Sequence, residues 1–181
     1  MITYRNESDI EQIFKQDAAY LKNVYVKMNE TALCDPYSAL HVDLGSCISC
    51  VLAGMDENKD VWIAANHLFK SRTENDDISL FQIAALIDSL SQKGIVKICC
   101  LGLFGGGYNE NSPAGKIARK NVLSSLETIS IYDMHVAIFE TGYRQSLSMY
   151  ASQKRQSVLL RHKNMMTNEL VYYEFPYIDY F

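Results

Sequence analysis

The chain predicts an α/β fold, a layered sandwich in which helices cover one or both faces of a mixed β-sheet, built as a single domain. Three observations carry this expectation. The 181 residues suit one hydrophobic core. Helical and β-like stretches are interleaved along the chain rather than grouped. The nearly continuous apolar run Ile95–Phe104 (IVKICCLGLF) suits a strand covered on both faces.

The elements follow in order. Over residues 7–22, Ile10, Ile13, Phe14, Ala18 and Leu21 recur at helical spacing, which predicts an amphipathic helix standing as an N-terminal appendage over residues 1–22. Asn23–Met28 suits a short strand, and Asp35-Pro36 marks a turn. ALHVDLGSCISCVL, residues 39–52, holds two β-like runs broken at Gly45-Ser46. After a polar turn over Gly54–Asp60, Val61–Phe69 returns as the second strand of a hairpin. Asp76 or Asp77 caps a helix running to about Lys93, with Gly94 as its stop signal. A further helix is expected over Ala114–Glu127, and strands over Ile129–Glu140, Ser146–Ala151 and Ser157–His162. Residues 23–166 form the main domain in this reading. Residues 167–181, rich in tyrosine and acids, form a C-terminal tail that packs on the domain or stays loose.

Composition narrows the function. Hydrophobic residues make up 48% and charged residues 21% of the chain, which is the balance of a folded domain. A net charge of −4 argues against a nucleic-acid partner, because such proteins ordinarily carry a basic stripe. No stretch approaches the roughly 20 apolar residues that span a bilayer. The opening MITYRNESDIEQIF lacks a basic and then apolar leader. The expectation is a cytoplasmic protein. Its five cysteines, Cys34, Cys47, Cys50, Cys99 and Cys100, are odd in number and two are adjacent, so free thiols are expected in a reducing compartment.

Three constellations can carry chemistry. The first is Leu44-Gly45-Ser46-Cys47 with His67. A cysteine that follows a glycine turn and opens a strand sits close to backbone N–H groups, which can hold an oxyanion. A paired imidazole would activate its thiol toward an amide carbonyl. His67 lies on the returning strand of the hairpin, so the two can meet without a long-range assumption. An inert buried cysteine beside an unrelated histidine is the alternative that spacing leaves open. The second constellation, Cys47-Ile48-Ser49-Cys50, has the spacing of a redox pair, but its surroundings look like strand, which separates the thiols. The third, Phe104-Gly105-Gly106-Gly107-Tyr108, follows a strand but matches neither phosphate-loop pattern. It suits a turn where backbones approach closely, or a wall of the active site. His41 and Asp43 share strand parity with Cys47 if the strand is unbroken, and either could orient the His67 ring. Ordinary strand roles are the simpler reading for both, as for His135, while His162 suits a solvated position.

LGSCISCVL, ANHLF, LGLFGGG, AGKIARKN and AIFETG occur in that order. In this ordered set the chain resembles the chemoreceptor glutamine deamidase family, CheD, over about residues 23–162. The resemblance implies a three-layer α/β/α-type sandwich, related to bacterial toxin deamidases. Members hydrolyse the side-chain amide of selected glutamines on methyl-accepting chemoreceptors, some cleave methyl esters, and some bind a CheC-type phosphatase. Such a protein would meet the membrane only through its receptor, and would need neither a cofactor nor a metal. The nucleophile carries over to Cys47 and the base to His67. The family's third catalytic residue, a threonine, falls at His41, and a family glycine falls at Asp43. The hairpin between Cys47 and His67 is longer than the family's, Ser71 replaces a proline, and Gly142-Tyr143-Arg144 replaces a G-G-N stretch.

The expected activity is therefore a cysteine amidohydrolase converting protein glutamine to glutamate through a thioester. Cys47, His67 and His41 carry the chemistry; Gly45, Ser46 and Asp43 line the oxyanion and substrate side. The alternative that the departures motivate is a catalytically silent CheD-like adaptor for a chemotaxis partner. A third reading is thiol–disulfide chemistry at Cys47 and Cys50.

Overall fold

Alternation along the strands divides their side chains between several cores, and that division sets the architecture. The computed structural model describes residues 7–45, 47–68, 78–95, 97–105, 120, 124 and 144–177. The elements are α1 (Glu7–Ala18), β1 (Lys22–Val26), β2 (Thr31–Cys34), β3 (Ser38–Leu44), β4 (Ile48–Met55), β5 (Val61–Asn66), α2 (Ile78–Ser91), β6 (Lys97–Gly105), β7 (Gln145–Ser152), β8 (Ser157–Asn164) and β9 (Leu170–Pro176). They make one mixed α/β domain with two sheets. The first sheet has the order β1-β3-β7-β8-β9 and is mixed, with β1 and β3 parallel and its other pairs antiparallel. The second has the order β2-β5-β4-β6 and is antiparallel throughout.

The sheets stack face to face. Leu40, Val42 and Leu44 of β3, with Leu147 and Met149 of β7, meet Val51 and Ala53 of β4 and Ile63 and Ala65 of β5 in the central core. The opposite face of the first sheet presents Ala39, Tyr150, Leu159 and Tyr172 to Ile10 and Phe14 of α1. The opposite face of the second presents Cys50, Leu52, Ala64 and Cys100 to Ile83, Leu86 and Leu90 of α2. The helix-faced sandwich with a mixed sheet is thus present, with one layer more than the sequence resolves. The strands divide between two sheets because the chain leaves the first at Leu44 and enters the second at Ile48. Gly45 and Cys47 flank that crossing. β4 is buried on both faces up to Met55, which explains its largely apolar sequence.

The helix ends follow local rules. α1 stops at Ala18, where Tyr20 N–H turns back to the Asp17 carbonyl and the chain bends into β1. Beyond α2, Gly94 takes a left-handed φ of 74° and its N–H donates to the Ser91 carbonyl. Ile95 N–H reaches back to the Leu90 carbonyl, so Gly94 stops the helix as its sequence position predicts. Of the helix expected over Ala114–Glu127 only Lys120 and Ser124 are described, both helical. The strand expected over Ile129–Glu140 lies outside the described residues, as do His135, Ser71, and the Asp76 and Asp77 caps. Residues 170–176, within the segment set apart as a tail, form the outermost strand β9. Among the described residues, no helix is long and apolar enough to cross a membrane.

Candidate active site

The site is built on the β4–β5 hairpin. The two strands pair antiparallel from Val51↔Ala65 to Met55↔Val61, and the bridge Ile48↔Leu68 continues in phase. Ile48 and Leu68 exchange both backbone hydrogen bonds, at 3.1 and 2.7 Å. The phase sets Ser49 opposite His67, with Cys47 one diagonal step away. Cys47, Val51, Ala53, Ile63 and Ala65 face the first sheet, and because directly opposed residues share a face, strand alternation sets Ser49 and His67 on that face too. Diagonal neighbours lie about 7–8 Å apart between Cα atoms, within reach of a long side chain. Between these pairs Asn66 takes over the ladder with its side chain, its Oδ1 accepting from Cys50 N–H at 2.8 Å. On its other side the His67 backbone is tied to the turn before β2: its N–H donates to Glu30 and its carbonyl accepts from Asn29.

The two expected reactive groups are thus on one face of one sheet, at the end where the chain crosses between sheets. Both are buried, Cys47 at 5% and His67 at 7% exposure. Neither ring nitrogen of His67 has a hydrogen-bond partner, so no hydrogen bond joins it to Cys47. Burial holds the His67 ring below the ordinary imidazole range, against a raising influence of the Val26 backbone and of the Asp43 charge. The Val26 backbone therefore faces the ring, at a geometry short of a hydrogen bond. Burial raises the Cys47 thiol above its ordinary value. Both shifts favour the neutral forms, a thiol and an unprotonated imidazole, over an ion pair. Catalytic hydrogen bonds commonly tighten only with substrate in place.

His41 departs from its expected role. On β3 the residues Leu40, Val42 and Leu44 face the central core, so His41 and Asp43 share the opposite face with Ala39. There His41 Nδ1 bonds Ser148 Oγ at 2.9 Å and Nε2 bonds Asn23 Oδ1 at 2.8 Å. The Tyr25 ring stacks on it at 5.0 Å. Both nitrogens are engaged on the α1 side of the first sheet, so His41 does not orient His67. The parity argument fails because the Gly45–Cys47 crossing places Cys47 in a different sheet. Asp43 is exposed near the end of β3, within electrostatic reach of His67. Gly45 flanks the crossing, its carbonyl accepting from Arg144 N–H at 3.5 Å. Ser46 lies outside the described residues.

The redox reading fails on strand geometry. Cys47 belongs to the central core and Cys50 to the core under α2, on opposite faces of β4. The Cys50 thiol lies instead with Cys100 in the core under α2, and that neighbour together with burial raises its pKa. All five thiols are free and buried. Among the described residues no group of three His, Cys, Asp or Glu side chains is placed to hold a metal ion. His162, expected in solvent, is instead buried, with Nε2 3.2 Å from Gln145 Oε1.

Of the glycine run, Gly105 packs against the Cys47 backbone. Gly105 ends β6 at a φ of 87°, and a Cβ there would fall on the Cys47 carbonyl oxygen. Only glycine combines that backbone conformation with so close an approach. Phe104 before it is fully buried in the same core as Cys47. Gly106, Gly107 and Tyr108 lie outside the described residues.

Two buried imidazoles, His67 and His162, and the half-buried His41 give the fold an acid sensitivity. Burial lowers the pKa of His41, with the Arg161 charge assisting and Asp43 opposing. It lowers His67 with Asp43 opposing, and His162 with Glu169 opposing. The unfolded chain therefore binds protons below about 6.5 that the folded chain resists. Stability from these groups is present above that pH and is lost as pH falls. The urea midpoint should drop between about pH 7.5 and pH 5, and the drop should shrink in His162→Gln. An equal or higher midpoint at pH 5 would contradict this.

No protein-family model matches the chain, and no curated protein matches it.

Proposed function

We propose that the chain is a cysteine-dependent protein-glutamine amidohydrolase of the chemoreceptor deamidase kind. The observation that carries this reading is a buried imidazole with two unpartnered ring nitrogens on the face and sheet that hold Cys47. Buried polar groups normally find partners, and an orphaned pair of ring nitrogens on the same strand-pair face as a thiol suits a site awaiting its substrate. The LGSC crossing and the ordered motifs of the sequence supply the substrate class. On this reading the protein works in the cytoplasm and reaches the membrane only through its receptor, with a CheC-type phosphatase as a further partner.

The chemistry follows from the two groups. His67, held neutral by burial, accepts the Cys47 proton as sulfur attacks the glutamine side-chain carbonyl carbon. Return of that proton to nitrogen releases ammonia and leaves a thioester. His67 then takes a proton from water, whose oxygen attacks the thioester carbon. Glutamate departs and the thiol is restored. Because sulfur and imidazole act as a unit, loss of either should cost nearly as much as loss of both.

A catalytically silent adaptor is the second reading, favoured by the raised pKa and small exposure of Cys47. Incubation with a glutamine-bearing receptor peptide separates the two. Wild-type protein should raise the peptide mass by about 1 Da per deamidation, and Cys47→Ala should abolish the gain. Deamidation that survives Cys47→Ala overturns the nucleophile. A wild-type protein that binds the peptide without changing its mass supports the adaptor.

A further inference from the structure

We propose that Ser49 is the residue that positions the His67 ring, the role for which His41 is misplaced; this inference rests on the assignment of His67 as the base. Ser49 is fully buried, and its hydroxyl has no hydrogen-bond partner. The β4–β5 phase sets it directly across from His67. Ile48–Leu68 is the hydrogen-bonded pair, so the next position is a non-hydrogen-bonded one, where opposed side chains stand closest. Opposed Cβ atoms lie about 4.5–5.5 Å apart, a span that a hydroxyl and an imidazole together bridge. Two buried polar groups without partners therefore face each other on one strand pair. A buried polar group left unsatisfied costs folding free energy, and a mutual hydrogen bond satisfies the hydroxyl and one ring nitrogen.

Geometry also assigns the direction. The ring nitrogen that accepts the Cys47 proton must be bare, so the other carries the N–H and donates it. Serine Oγ accepts that bond, which fixes the tautomer and steadies the ring as the imidazolium forms. The Val26 backbone also lies close enough to the ring to raise its pKa. Ser49 touches neither substrate nor sulfur in this scheme; it acts through His67.

NMR of the protein labelled with 15N at histidine reads the His67 tautomer and its titration directly, without requiring turnover. Ser49→Ala should shift the tautomer ratio and the His67 midpoint, and Ser49→Thr, which keeps the hydroxyl on a β-branched side chain, should restore both. With the receptor peptide, Ser49→Ala should lower kcat about 10²-fold with KM little changed, the scale expected for a misaligned catalytic group. An unchanged tautomer and midpoint in Ser49→Ala overturn the inference whatever the activity. A shift in Ser49→Ala that Ser49→Thr fails to reverse also overturns it. A reversible shift in a wild-type protein that deamidates nothing leaves Ser49 as the positioning residue and removes the deamidase reading alone.

Discussion

Phe14→Ala should lower the unfolding free energy by about 3–5 kcal/mol, the cost of emptying a large buried aromatic site. Phe14 is only 2% exposed and is the centre of the contact that fastens α1 to the first sheet. Its ring meets Tyr150 edge-on at 5.1 Å and Tyr172 at 6.0 Å. The Arg161 guanidinium lies 5.5 Å from its centroid. Alanine forfeits the buried area, both aromatic pairs, at about 0.5–1.5 kcal/mol each, and the cation–π contact. Against a total stability of about 5–15 kcal/mol, the loss is large. Phe81→Ala on α2 is the control: Phe81 is 72% exposed, and its removal should change stability by about 0.5 kcal/mol or less. Urea unfolding of both variants provides the measurement. A Phe14→Ala loss below about 1 kcal/mol would make α1 a detachable appendage, as its sequence position suggests, and not an outer layer of the domain.

Local signals were legible wherever one element decided them. The helical spacing of Ile10 and Phe14, the stop at Gly94 and the hairpin around Gly54–Asp60 were readable because a few neighbouring residues determine each. Sheet membership was not, because it depends on which distant strands pair. The run through LGSC looks like two strands with a break, and nothing local tells that β3 pairs with β1 and β7 while β4 pairs with β5 and β6. That hidden change of sheet undid the parity argument for His41. The same alternation, applied within β4 alone, places Ser49 on the face of Cys47 and Cys50 on the other. Ser49 could therefore have been found from the sequence by the spacing that disqualifies the Cys47–Cys50 pair. The strand β9 was masked by its composition. Glu174 suggests a solvated tail, yet it is buried, accepting from Arg155 at 2.9 and 3.0 Å and from Ser157 at 3.0 Å. A buried acid with three such donors needs long-range partners that local pattern does not reveal.

The double variant Ser49→Ala/His67→Leu should be more stable than the wild type by about 1–3 kcal/mol and should have no deamidase activity. The wild-type site buries a hydroxyl and two ring nitrogens without protein partners in an otherwise apolar layer. Each unsatisfied group costs folding free energy, and even a mutual serine–imidazole hydrogen bond leaves one ring nitrogen bare. Leucine and alanine fill the space with no polar group to desolvate and join the core already formed by Val51, Ala65 and Leu147. His67→Leu alone should gain less, since it leaves the Ser49 hydroxyl buried and alone. Side chains that weaken the fold where apolar ones would strengthen it point to a use other than stability, and transferring the Cys47 proton is the use their positions suit. Urea midpoints of the wild type, the single and the double variants measure the balance. A double variant less stable than the wild type by 1 kcal/mol or more would mean that the polar pair is fully satisfied in solution and holds the sheets together. The orphaned ring nitrogens would then no longer argue for catalysis.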